Sequence, residues 1–159
     1  MRTIRVLFVC LGNICRSPTA HGVFQTMVEK VNLAKFIDVD SAGTSGWHIG
    51  EPPDKRSSAE ALKAGYDLRN LRGRQVQKSD FEVFDYILAM DRANLVELEE
   101  MRPENYSGHL GLFLEFSQDE NYTEVPDPYY GGGEGFRTVL SLVESASTGL
   151  LAEIRNKYL

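Results

Sequence analysis

Cys10 and Arg16 stand six residues apart in the run Cys10-Leu11-Gly12-Asn13-Ile14-Cys15-Arg16-Ser17-Pro18. One offers a soft nucleophile and the other a planar fork of donors suited to two oxygens of a phosphate at once. A thiol that ordinarily titrates near 8.5 falls to roughly 3.5–7.5 at a helix N-terminus or beside a cation, so Cys10 is expected to be largely thiolate at neutral pH. A sulfur anion beneath a cradled phosphorus is what covalent phosphoryl transfer requires. A cysteine with an arginine six residues later is weak as a bare pattern. Its placement carries the information, because the apolar run Ile4 to Val9 precedes it and Ser17-Pro18 opens a helix after it.

A short connection between a strand and a helix can curl until successive N–H groups point inward, forming a nest for an anion. The positive end of the following helix adds to the same field. Gly12 permits a positive φ and close approach, and Asn13 tolerates the left-handed region better than most residues. Ile14 and Cys15 complete the set of loop amides. Ser17 has two readings, helix N-cap or hydroxyl donor to the sulfur. Cys15 also has two, an inert buried thiol or the partner of Cys10 in a reversible disulfide.

The elements that position this loop follow from periodicity. Ile4 to Val9 is continuous and β-branched, as in a strand covered on both faces. Ala20, Val23, Phe24, Met27, Val28 and Val31 recur at helical spacing. Phe36 to Asp40 alternates and stops at a turn, Ser41-Ala42-Gly43. Ser57 or Ser58 caps a helix running through Ala61, Leu62 and Ala64 to Gly65. Phe84 to Met90 reads as a third strand, Arg92 to Met101 as a helix, and Leu110 to Leu114 as a fourth strand. Ser117 to Gly135 is polar, rich in proline and glycine, and reads as loop. A last helix carries Val139, Leu142, Val143, Ala146, Leu150 and Ile154 on one face, despite Gly149. Strands alternating with helices imply βαβ units in a mainly parallel sheet, with the ligand site beyond the carboxyl ends of the strands. Cys10–Ser17, Ser41–Lys55 and Ser117–Gly135 are therefore the loops to inspect.

The 159 residues, 42% hydrophobic and 25% charged, fit one domain with its own core. A net charge of −6 argues against a general nucleic-acid binder. Two cysteines are too few for a disulfide scaffold. The apolar run near the N-terminus is interrupted too early for a secretory signal, and nothing approaches a membrane span. A cytoplasmic location is expected, and the triplets at Asn105 and Asn121 carry no weight as glycosylation sites. His21, His48 and His109 are scattered and pair with no second ligand at metal-site spacing. Gly131-Gly132-Gly133 lacks the lysine of a nucleotide-binding loop.

The run Val9 to Pro18 resembles the signature of low-molecular-weight protein tyrosine phosphatases. The likeness continues through Ser41-Ala-Gly-Thr44, Arg74-Gln75, Phe84 to Leu88 with Met90-Asp91, and Val125-Pro-Asp-Pro-Tyr129, covering nearly the whole chain in order. The resemblance implies a single three-layer α/β/α domain over residues 1–159, built on a four-stranded parallel sheet flanked by helices. It implies hydrolysis of phosphotyrosine in proteins and of small aryl phosphates through a phosphocysteine on Cys10. Arg16 and the loop amides would bind the phosphoryl group, and Asp127 would act as general acid and then base. Asn13 and Ser17 would hold the loop and the thiolate, with Ser41 as the partner of Asn13. It implies no metal and no organic cofactor, tyrosine-phosphorylated proteins as partners, and phosphate as product inhibitor. Oligomeric state is not implied. Many members carry a histidine shortly before the Arg-Gln pair to support the loop; this chain has Asn70 there as a substitute.

Asp127 lies between Pro126 and Pro128, which stiffen its backbone. Leu11, Trp47 and Tyr129 are expected to wall a slot for a phenol ring. Tyr129 and Tyr130 are candidate phosphorylation sites. Two enzymatic alternatives share the fold, an arsenate reductase and a protein-arginine phosphatase. No cysteine after Cys15 serves to resolve the first reaction, and Leu11 replaces the small threonine associated with the second. A non-catalytic phosphotyrosine reader would have no use for Cys10 together with Asp127.

Overall fold

The centre of the sheet is the most apolar segment of the chain. In the computed structural model, which describes residues 2–129 and 131–159, β1 (Ile4–Cys10) pairs in parallel with β2 (Ile37–Gly43) and with β3 (Tyr86–Ala89). β4 (His109–Leu112) adds to β3, giving the order β2-β1-β3-β4 with every pair parallel. Successive residues of β1 point to opposite faces, so each face has its own cluster. Val6 and Phe8 pack with Phe24 of α1 (Arg16–Lys30) and with Val143 and Leu150 of α5 (Gly133–Tyr158). Leu7 and Val9 pack with Phe81 of α3 (Asp80–Val83) and Leu98 of α4 (Arg92–Met101). The result is three layers in one domain, with α2 (Lys55–Lys63) beside α1 and α5. No helix among the described residues is long and apolar enough to cross a membrane.

Several elements depart from the sequence expectation. β2 does not turn at Ser41: Ser41, Ala42 and Gly43 continue the strand opposite Phe8, Val9 and Cys10. Their small, turn-like character serves close packing instead. α2 is capped by Asp54, whose carboxylate accepts from the N–H groups of Arg56 (2.8 Å) and Ser57 (3.4 Å), so Ser57 and Ser58 lie inside the helix. β4 ends at Leu112, where a 3-10 turn (Phe113–Phe116) drives Phe113 edge-on against Phe8, 4.9 Å between ring centroids.

Candidate active site

The segment from Cys10 to Arg16 is curled, and hydrogen bonds on its outer side fix the direction of the curl. The carbonyl of Cys10 accepts from Thr44 N–H (2.9 Å), that of Leu11 from Ser45 N–H (3.0 Å), and that of Ile14 from Asp54 N–H (2.8 Å). In a trans peptide the C=O and the following N–H point oppositely, so these outward carbonyls turn the amides of Leu11, Gly12 and Cys15 inward. Asn13, at φ 57°, takes the left-handed step, and its N–H donates to Cys10 Sγ at 3.3 Å. Gly12 has no positive φ; it is small because a Cβ there would lie 3.0 Å from the His48 ring. Gly43 is needed still more, since its Cβ would meet the Leu11 carbonyl at 2.8 Å. α1 starts at Arg16, so its unpaired N-terminal amides and positive dipole end face the same hollow.

Cys10 is buried at the floor of this cup. Its Sγ lies 3.0 Å from Ser17 Oγ, and the Asn13 amide donates to that same oxygen at 2.8 Å. The hydroxyl hydrogen is then left for the sulfur, with the Ala42 carbonyl a longer competitor at 3.4 Å. Ser17 is therefore not the N-cap of α1; that position is Cys15, which makes no side-chain cap. The other end of the Asn13 amide accepts from Arg74 N–H at 3.0 Å, which ties the loop to the strand-like segment pairing with Gly43.

Arg16 is buried, and one arm of its fork is anchored. Nη1 donates to Asp91 Oδ2 (2.6 Å) and to the Val125 carbonyl (3.1 Å), while Nη2 stands 3.7 Å from Asp127 Oδ2. Burial works against its charge. Cys10, Asp91 and Asp127 outweigh that penalty and hold the guanidinium above its ordinary range. Asp127 is half exposed, and its Oδ1 accepts from Tyr129 N–H at 3.0 Å. The segment enters the site through Val125, whose N–H donates to the Met90 carbonyl at 2.8 Å.

Cys10, Leu11, Gly12, Ile14, Cys15 and Arg16 line a cavity of about 170 Å³, closed on its other sides by Trp47, His48, Asp127 and Tyr129. Leu11, Trp47 and Tyr129 form an exposed apolar rim. A larger cleft of about 780 Å³ opens at the amino edge of the sheet beside Asp85, Tyr106 and His109, remote from both cysteines. Cys15 is a buried thiol pushed up to about 12, chiefly by burial, and is not bridged to Cys10. Among the described residues, no three His, Cys, Asp or Glu side chains converge to hold a metal ion.

Two supporting residues are not where the sequence placed them. Ser41 does not meet Asn13; its hydroxyl lies 3.0 Å from Nδ1 of His21, an imidazole that burial holds below its ordinary pKa. Asn70 is exposed and makes no hydrogen bond to the loop, which is tied instead to Arg74 and Gly43. Tyr130 lies outside the described residues. Sequence reasoning passed over Asp91 and His48. Asp91 was legible in principle, because an Asp-x-x-Asn cap directly after a parallel strand sits at the carboxyl edge where sites form.

The family model described as low molecular weight phosphotyrosine protein phosphatase matches residues 5–158. A low molecular weight protein-tyrosine-phosphatase of Streptomyces coelicolor is 44% identical over 158 residues, 98% of this chain and 96% of that one. A crystal structure of a protein tyrosine phosphatase from Entamoeba histolytica, with Hepes in its active site, superposes with TM-score 0.94 at 39% identity, covering 99% of this chain and 100% of that one. A Drosophila arginine phosphatase superposes with TM-score 0.90 at 32% identity, covering 97% and 99%. With a match spanning almost every residue and a fold shared from end to end, this chain belongs to the low-molecular-weight phosphotyrosine protein phosphatase family.

Proposed function

We propose that residues 1–159 act as one phosphatase domain that hydrolyses phosphotyrosine in proteins, and small aryl phosphates, through a phosphocysteine. The observation that carries this reading is the floor of the cup, where Cys10 Sγ accepts from Asn13 N–H and faces Ser17 Oγ beside the start of α1. Asn13 N–H and the Ser17 hydroxyl are both placed to donate to the sulfur. The cup's amides and Arg16 bind the equatorial oxygens of the phosphoryl group and stabilise the charge that develops in the transition state. Sγ attacks phosphorus, the bond to the phenolic oxygen breaks, and Asp127 gives that oxygen its proton. A water then attacks the phosphocysteine, loses a proton to the Asp127 carboxylate, and returns Cys10 as thiolate with Ser17 donating to it. Asp127 therefore starts each cycle protonated and is restored at its end.

Substrate choice follows from the rim. Leu11, Trp47 and Tyr129 offer apolar surface to an aromatic ring at the cavity mouth, which favours phosphotyrosine over phosphoserine. Product phosphate occupies the same cup and inhibits competitively. The chemistry draws its positive charge from Arg16 and backbone amides, so no metal enters it, and we place it in the cytoplasm. The likeness to an arginine phosphatase supports a second reading, a phosphoarginine substrate. Leu11 beside the nucleophile favours the first.

The test is phosphate release from p-nitrophenyl phosphate and from phosphotyrosine and phosphoarginine peptides, with excess chelator present. Retained activity on the aryl esters, lost in Cys10→Ser, supports the proposal. Activity abolished by the chelator, or a preference for phosphoarginine, contradicts it.

A further inference from the structure

The segment carrying Asp127 is fastened at two points. At its start Val125 is fixed through its N–H to Met90 and through its carbonyl to Arg16. At its end the Tyr129 carbonyl accepts from Nη2 of Arg56 at 3.0 Å. Only Pro126, Asp127 and Pro128 lie between, and two of these have φ locked by their rings. Asp127 itself is held by little else: one hydrogen bond from Tyr129 N–H and the 3.7 Å approach of Arg16. The position of its carboxyl thus depends on the two fastenings, together with the buried Pro128, whose carbonyl accepts from Gly131 N–H at 3.0 Å.

Arg56 does not line the cavity, yet it joins the cavity's two sides. Its Nε and Nη2 grip the Asp54 carboxylate at 3.2 and 3.0 Å. Asp54 N–H is bonded to the Ile14 carbonyl of the cup. The guanidinium also lies over the rings of Tyr129 and Phe136, 5.4 and 4.7 Å from their centroids. The path from cup to acid therefore runs Ile14, Asp54, Arg56, Tyr129, Asp127. An exposed ion pair alone contributes little to stability. This one also bonds a backbone carbonyl and covers two rings, which a lysine cannot do simultaneously.

We propose that Arg56 is a positioning residue that holds Asp127 at the height over Cys10 needed to protonate the leaving group, an inference that rests on Asp127 being the general acid. The experiment measures kcat/KM for p-nitrophenyl phosphate, whose leaving group needs little protonation, and for phenyl phosphate, whose leaving group needs much. The ratio of the two is internal to each preparation, so a partly unfolded variant does not distort it. Arg56→Ala should lower the phenyl phosphate value about tenfold more than the other, a fraction of what a general acid supplies. Arg56→Lys should recover part of that loss, and adding Arg56→Ala to Asp127→Asn should cost little further. Competitive inhibition by phosphate should stay within about twofold of the parent in Arg56→Ala, because the bond from Asp54 N–H to the Ile14 carbonyl does not use the Arg56 side chain. Equal losses on both substrates, or losses that multiply in the double variant, overturn the inference while leaving Asp127 in its role. If Asp127→Asn itself fails to discriminate the two substrates, the acid assignment falls and this inference falls with it.

Discussion

Asp91 and Arg16 share a contact of 2.6 Å in which the aspartate uses only one of its oxygens. The other, Oδ1, accepts from Asn94 N–H at 2.8 Å and caps α4, while Asn94 reaches back to Asp91 N–H at 3.3 Å. The guanidinium is thereby aimed by a carboxylate that the helix itself holds still. A buried arginine without such a partner would be an uncompensated charge, costing roughly 3–5 kcal/mol.

Asp91→Asn keeps an oxygen for the cap but removes the charge facing Arg16. It should lower kcat/KM by about 10- to 100-fold through misplacement of the guanidinium, with phosphate affinity weakened in parallel. Asp91→Ala should in addition lose about 1 kcal/mol of stability with the cap. Steady-state kinetics with phosphate inhibition and thermal melting separate the two effects. Unchanged phosphate affinity in Asp91→Asn would show that Arg16 aims itself.

Ser17→Ala removes the hydroxyl that faces Cys10 and leaves the Asn13 amide without its acceptor. The departing thiolate of the second step should suffer more than the attacking one. Rapid-mixing experiments should then show a larger p-nitrophenol burst followed by slower turnover, as phosphocysteine accumulates. A smaller burst would place the hydroxyl's effect on attack instead.

Cys15, pushed up to about 12 by burial, should stay protonated through the whole neutral range. In Cys10→Ser, iodoacetamide at pH 9 should therefore leave Cys15 unmodified until the protein is denatured. The sign of its effect on folding also follows. The native state keeps a proton that the unfolded chain releases near pH 8.5, so this thiol's contribution to stability declines as pH rises from there toward 12. Urea titrations at pH 7.5 and 10 should show a smaller loss in Cys15→Ala than in the parent.

Gly149→Ala should destabilise, although alanine is ordinarily favoured over glycine in a helix by about 1 kcal/mol. A Cβ at this position of α5 would sit 1.9 Å from the Phe116 carbonyl. Backbone must move to admit it, at an overpacking cost of roughly 1–3 kcal/mol that exceeds the propensity gain. Denaturant midpoints decide between the two signs.

The sequence was most informative where local chemistry and global packing agree. The helix from Arg92 to Met101 has the predicted bounds because its cap, its apolar face and its sheet contact all reinforce one another. β1 was legible for the same reason. Ser41 to Gly43 read as a turn because small polar residues favour one, but pairing with β1 supplies partners that composition alone cannot reveal. The short α3 hid in the approach to β3, where four residues carry too little periodicity to register. In the site, Cys10 and Arg16 stood out by their place between a strand and a helix, and Asp127 through the family resemblance. Asp91 and Arg56 did not, since each acts through a contact made 73 or more positions away along the chain. Asn70 misled because nearness in sequence to Arg74 says nothing of which way a loop faces.

The missing side chain at Gly43 has a wider consequence. Strand end and anion cup pass each other at contact distance, so the cup is moulded against the sheet rather than merely appended to it. Redesign of the 11–15 turn for a bulkier or differently charged group would have to recarve positions 43 to 45 in the same step. Libraries confined to the turn would mostly sample shapes that the neighbouring backbone forbids.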